Sequence, residues 1–157
     1  MNINSPKILI VDNYDSFTYN LVQIIQLRVY YSKKSFLGIC LGHQAIAETF
    51  GMNLIKLNSV RHGLKAIIKI IDSTDYIFEG VPSEFTAGLY HSWAVSAESK
   101  LLESIPDLRV TALSNDGIIM AVAHIRYDIR GVQFHPESYL SEYGNKILHN
   151  WINHLSC

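Results

Sequence analysis

At 157 residues, with 48% hydrophobic and only 17% charged side chains, the chain is long enough to bury a core and reads as one domain over residues 1–157. A formal net charge of −1 excludes the broad basic field that nucleic-acid or anionic-membrane binding requires. No apolar run approaches the length of a membrane span, the first five residues lack a leader pattern, and Cys40 and Cys157 do not make a disulfide framework. The expectation is a cytoplasmic protein.

Lys7-Ile8-Leu9-Ile10-Val11 is a continuous β-branched run, as in a strand buried on both faces. A polar turn, Asp12-Asn13-Tyr14-Asp15-Ser16, follows, and Phe17, Leu21, Ile24 and Ile25 then recur at helical spacing. Residues 35–39 form a second strand and lead into a turn and a helix that stops at Gly51. This alternation predicts an α/β fold: a mostly parallel central sheet flanked by helices, with additional short antiparallel strands. Ligands of such sheets bind outside the carboxyl ends of the strands, which places residues 12–16 and Cys40 on one rim.

Beyond Gly51 the pattern predicts strands at 54–57 and 66–71, separated by Arg61-His62-Gly63, and a helical turn over 75–82 closed by Gly80 and Pro82. Short strands follow at 89–97, 109–114, 120–125 and 131–134. Asn115-Asp116-Gly117 marks a hairpin turn between two of them. A helix over 142–155 puts Ile147, Leu148, Trp151, Ile152 and Leu155 on one face.

The chemistry centres on Gly38-Ile39-Cys40-Leu41-Gly42. Glycines two residues either side of a cysteine, at a strand-to-helix turn, have the spacing of a nucleophile elbow. Small neighbours are expected at both glycine positions because a Cβ would collide with the adjoining strand or helix. The start of the following helix favours a thiolate at Cys40. Among seven histidines, His43 is close to the thiol in sequence but leaves the elbow on the helix, where the sequence does not fix its orientation, and it is the lesser candidate for the base. His62, His91 and His124 read as structural, and His149 and His154 as solvent-facing on the last helix. His135 differs. It stands in His135-Pro136-Glu137-Ser138 after an apolar strand, and residues two apart in an extended segment point to the same side. Glu137 can therefore orient the ring that His135 offers to the thiol, a nucleophile–base–orienter set.

Gly38-Ile39-Cys40-Leu41-Gly42-His43-Gln44 together with Gly131-Val132-Gln133-Phe134-His135-Pro136-Glu137-Ser138 resembles the class I (triad) glutamine amidotransferases. Within them, residues 11–21, Arg61-His62-Gly63 and Tyr90-His91-Ser92 are similar to anthranilate synthase component II and the aminodeoxychorismate synthase glutaminase. The resemblance implies catalytic Cys40, His135 and Glu137, with the Leu41 N–H as an oxyanion donor. It further implies that Gln44 contacts the glutamine substrate and that Ser92 and Trp93 hold its α-amino and carboxylate groups through main-chain contacts. Without it, Gln44 reads as a solvated helix residue and Ser92 as an ordinary strand residue. No cofactor or metal is implied. The partner would be a chorismate-binding synthase subunit that receives ammonia for tryptophan or folate biosynthesis.

One departure stands out. The family carries a Pro-Gly-Pro-Gly-type loop, with a second oxyanion donor, between its first helix and the elbow strand. Here Gln26 is followed directly by Leu27-Arg28-Val29-Tyr30. Either a stretch of the natural protein is omitted between residues 26 and 27, or the protein truly lacks the loop. In the latter case loss of one donor would cost on the order of 100- to 1,000-fold in rate. Two other classes stay open: a non-catalytic partner subunit of the same fold, and an unrelated cysteine hydrolase with a convergent elbow.

Overall fold

The computed structural model describes residues 35–97 and 106–155. In chain order these form β1 (Phe36–Ile39), α1 (Leu41–Thr49), β2 (Leu54–Ile70), a 3-10 turn (Tyr76–Phe78), β3 (Glu84–Val95), β4 (Leu108–Ser114), β5 (Ile119–His124), β6 (Ile129–Val132) and α2 (Gly144–His154). The strands build one sheet in the order β1-β6-β5-β4-β2-β3. The expected α/β class holds, with a mixed sheet. β1 pairs with β6 in parallel, whereas β6–β5, β5–β4, β4–β2 and β2–β3 are antiparallel. Short links between β4, β5 and β6 allow only antiparallel neighbours, because a parallel return needs a long crossover. The strand expected at residues 7–11, the helix after it and the junction of residues 26 and 27 lie outside the described residues.

All six residues of β5 are buried, as a central strand covered on both faces must be. One core places Ile68, Phe85, Leu89, Met120, Val132 and Phe134 against Ile147 of α2. A second packs Ala45, Ile46 and Ala47 of α1 onto Ile119, Val122 and Ile129. Asn150 Nδ2 on α2 donates to the carbonyls of Ile77 and Glu79, at 2.9 Å each, and so fixes the 3-10 turn beneath the helix. Among the described residues no helix is long and apolar enough to cross a membrane.

Three local expectations meet the structure differently. The Asn115-Asp116-Gly117 turn forms as expected, with Gly117 at φ +79° and the Ser114 N–H bonded to the Ile118 carbonyl at 2.9 Å. The two strands expected at 54–57 and 66–71 are instead one 17-residue strand. Its register slips between Lys56 and Arg61 and again between His62 and Leu64, so bulges absorb the polar Arg61-His62-Gly63 segment without ending the pairing. The last helix starts at Gly144 rather than 142, because Glu142 is held by β3. Its N–H bonds the Thr86 carbonyl at 3.0 Å, and its carboxylate accepts from the Thr86 N–H at 3.1 Å.

Candidate active site

The parallel pairing of β1 with β6 sets the site. Its register matches Ile39 with Val132, so both strands end at one level and their next residues, Cys40 and Gln133, emerge side by side. The Cys40 N–H extends the ladder to the Val132 carbonyl at 2.8 Å. At Cys40 the chain then turns sharply into α1 with φ +50° and ψ −99°, the only positive φ at a non-glycine among the described residues. Such a conformation is costly for a residue with a Cβ, and its retention at a strand end marks the elbow. Gly38 makes the turn possible: a Cβ there would lie 2.5 Å from the Gly42 carbonyl carbon and 2.6 Å from Ile46 Cδ1. The expectation of a matching constraint at Gly42 does not hold among the described residues, where a Cβ at Gly42 meets nothing within 4 Å. The close approach is one-sided, strand onto helix backbone. No side chain caps the start of α1, which leaves its first-turn N–H groups, Leu41 included, without a side-chain acceptor.

His135 arrives three residues after Val132 and is fixed by its backbone. Its N–H bonds the Gly88 carbonyl on β3 at 3.0 Å, and its carbonyl accepts from Ser141 Oγ at 2.6 Å. The His135 Nδ1–H donates to Glu137 Oε1 at 2.6 Å, the pairing expected from the two-residue spacing. Nε2, the other ring nitrogen, is buried and makes no hydrogen bond of ordinary geometry among the described residues. The Cys40 sulfur is the strongest influence on the ring. Together with Glu137 it outweighs burial and raises the imidazole to about 9. Burial pushes the Glu137 carboxyl up, but the hydrogen bond from His135 and backbone donation leave it below the usual carboxylate range. The ring therefore favours its protonated form beside the sulfur. Tyr90 sets its ring edge to His135, with centroids 5.0 Å apart, and bonds Ser138 Oγ at 3.1 Å. A cleft of about 550 Å³ opens above, lined by Tyr90, His135, Glu137, Ser138 and Tyr139.

The remaining expected residues fall around this pair with different roles. Gln44 is almost wholly buried, not solvated; its Nε2 donates to the Trp93 carbonyl at 2.8 Å and to Gln133 Oε1 at 3.1 Å. The Trp93 carbonyl also takes a bond from His91 Nδ1 at 2.8 Å, so both of its lone pairs are engaged. Ser92 is half-buried on β3, and the Trp93 indole is 46% exposed. His43 is fully buried against Gly131, and burial drives its ring down to about 3, so it is neutral and is not the base. His124 is structural, its Nδ1 accepting from the N–H groups of Arg126 and Tyr127 at 3.0 Å each. His62 is exposed and set edge-on to Tyr90, and His149 and His154 are exposed. Sequence reasoning missed Gln133. It is fully buried, and its Nε2 lies 3.6 Å from Cys40 Sγ. A polar residue inside the apolar run before His135 was the available signal. Among the described residues no group of three or more His, Cys, Asp or Glu side chains could hold a metal ion.

The model of the class-I glutamine amidotransferase family matches residues 24–155. The chain is a class-I glutamine amidotransferase. It is 38% identical to a Haemophilus influenzae protein provisionally named anthranilate synthase component II, with 93% of this chain and 95% of that one covered. It is 34% identical to anthranilate synthase component 2 of Mycobacterium tuberculosis (93% and 81% covered). It is also 32% identical to the aminodeoxychorismate/anthranilate synthase component 2 of Bacillus subtilis (92% and 95% covered). A solved structure from Thermoplasma acidophilum, provisionally assigned as one of the subunits of GMP synthase, superposes with a TM-score of 0.74 at 28% identity. The match covers 88% of this amidotransferase but only 64% of that chain. A Thermotoga maritima glutamine amidotransferase shares the fold, with a TM-score of 0.65 at 18% identity. The Haemophilus alignment runs over 190 positions, whereas 93% of 157 residues is about 146. That relative therefore carries more than forty positions with no counterpart in this chain.

Proposed function

We propose that this amidotransferase is the glutaminase subunit of a chorismate-using synthase, hydrolysing glutamine to glutamate and passing ammonia to a chorismate-binding partner subunit. The observation that carries the chemistry is the juxtaposition of a cysteine at positive φ with a histidine whose far nitrogen is held by a carboxylate at 2.6 Å. The Cys40 sulfur attacks the side-chain amide carbon of glutamine while His135 holds the thiol proton, then gives it to the departing ammonia. Water, deprotonated by His135, cleaves the resulting glutamyl thioester, releases glutamate and restores the thiol. Glu137 keeps Nδ1 protonated and stabilises the imidazolium. The Leu41 N–H, at the uncapped start of α1, is the donor available to the oxyanion. Gln44 has spent both amide protons inside the protein, which leaves its carbonyl oxygen to accept from an N–H of the substrate. The Trp93 carbonyl is already saturated, so main-chain recognition of the glutamine backbone falls to Ser92 and to the Trp93 N–H.

The names of the relatives support anthranilate as the product and aminodeoxychorismate as the alternative. The partner is component I of either synthase. Mixing the chain with such a partner, chorismate and glutamine tests the reading. Product forms, Cys40→Ser abolishes it, and added ammonia restores it; glutamine hydrolysis that survives Cys40→Ser would refute the assignment. A second reading, a partner subunit without turnover, is favoured by the forty-odd missing positions if they include the second oxyanion donor between residues 26 and 27. Under that reading Cys40 resists a glutamine-like electrophile and ammonia-dependent synthesis alone is supported.

A further inference from the structure

Gln133 is a fully buried polar side chain to which the reaction above gives no part. It follows Val132, whose carbonyl takes the Cys40 N–H, so strand register alone brings its amide to the nucleophile. The surrounding hydrogen bonds decide which end of each amide faces which neighbour. The Trp93 carbonyl can only accept, so Gln44 meets it with its NH2 group, at 2.8 Å. The other proton of that nitrogen goes to Gln133, which must then present Oε1, at 3.1 Å. The NH2 of Gln133 is thereby turned to Cys40 Sγ, at 3.6 Å. His91 closes the far end with its Nδ1–H on the same Trp93 carbonyl, at 2.8 Å. Reversing Gln44 would set acceptor against acceptor at the Trp93 carbonyl, and reversing Gln133 would set donor against donor at Gln44, both in a buried interior where unmatched polar groups are costly.

We propose that Gln133 is a positioning residue for the nucleophile. Locked by Gln44, Trp93 and His91, its amide N–H donates to the Cys40 sulfur, holds that side chain in its attacking orientation and favours the thiolate before substrate arrives. The role rests on the reading of Cys40 as nucleophile and differs from that of His135. The imidazole exchanges a proton with the sulfur during the reaction; the amide has none to exchange and supplies a fixed donor throughout. It also gives Gln44 a second function, since one amide orients another while its oxygen stays free for substrate.

The test is the rate of Cys40 alkylation by iodoacetamide as a function of pH, read by peptide mass, in the whole chain. It needs neither substrate nor oxyanion hole. Gln133→Met keeps length and volume but removes the donor. The expected result is a roughly tenfold slower reaction at neutral pH and a pH–rate curve displaced about one unit to higher pH. Gln133→Glu, equal in shape but carrying an acceptor and a negative charge, slows it further. Gln44→Met, which unlocks the Gln133 amide, moves the curve the same way by less and stands in if Gln133→Met does not fold. A wild-type curve in a folded Gln133→Met or, in its place, Gln44→Met variant overturns the proposal and leaves Gln133 as packing. Failure of the catalytic reading has a different signature: His135→Ala would leave the curve unmoved.

Discussion

Two acid–base pairs, one anchored on β6 and one in the loop that leaves it, show opposite designs. Arg130 on β6 is buried beside Asp75, which is itself inaccessible, with Nε donating to Oδ1 at 2.8 Å. Tyr76 closes the group, its ring 4.9 Å beneath the guanidinium and its hydroxyl donating to Asp128 Oδ1 at 2.7 Å. His135 and Glu137, five and seven residues further on, meet at 2.6 Å with the carboxylate side chain 56% exposed. A buried pair has already lost its water, so removing one partner strands a charge. An exposed pair is solvated either way and adds little to stability, yet it still fixes which nitrogen of a ring carries the proton. The first pair ties the 3-10 turn to the sheet; the second leaves an imidazole adjustable at the edge of a cleft.

The sharpest way to break this contrast is to remove one acid from each pair. Asp75→Ala is expected to cost about 3 kcal/mol in urea unfolding, because the buried Arg130 loses its close partner and keeps only the longer contact of its Nη1 to Asp128 Oδ1 at 3.5 Å. Next comes acid. The folded-state value of His43 is depressed to about 3, while the unfolded chain titrates near 6.5. Between those values the unfolded state binds the extra proton, so the contribution is complete above about pH 6.5 and is lost as pH falls. Burial of His43 alone should remove about 3 kcal/mol between pH 7 and pH 4, and His43→Phe should flatten that part of the stability–pH curve. The smallest effect on folding belongs to Glu137→Gln. Stability should change by less than about 1 kcal/mol, while glutamine hydrolysis falls by roughly 10²-fold because the ring loses its orienting charge. A large loss of stability with Glu137→Gln, or a small one with Asp75→Ala, would erase the distinction.

Local geometry was legible in the sequence; register was not. The Asn115-Asp116-Gly117 turn, the elbow and the His135–Glu137 pair could all be read because each depends on neighbours within a few residues. The bulged passage through Arg61-His62-Gly63 could not, since polar residues and a glycine mark a bulge and a turn alike, and only pairing with β3 separates them. Gln133 was invisible for a related reason. Which residue after Val132 faces the sulfur is set by the parallel match of β1 with β6, more than ninety residues apart in sequence. Gln44 was misjudged without the family resemblance because helical position says nothing about the strand that covers it.

Cys40, activated beside His135, is the proposed nucleophile for glutamine. Its most direct test is treatment of the isolated chain with a glutamine-like electrophile, with and without excess glutamine, followed by peptide mass analysis. One adduct is expected, on Cys40, suppressed by glutamine and strongly slowed in His135→Ala. An unmodified Cys40, or labelling indifferent to both glutamine and His135, would contradict it.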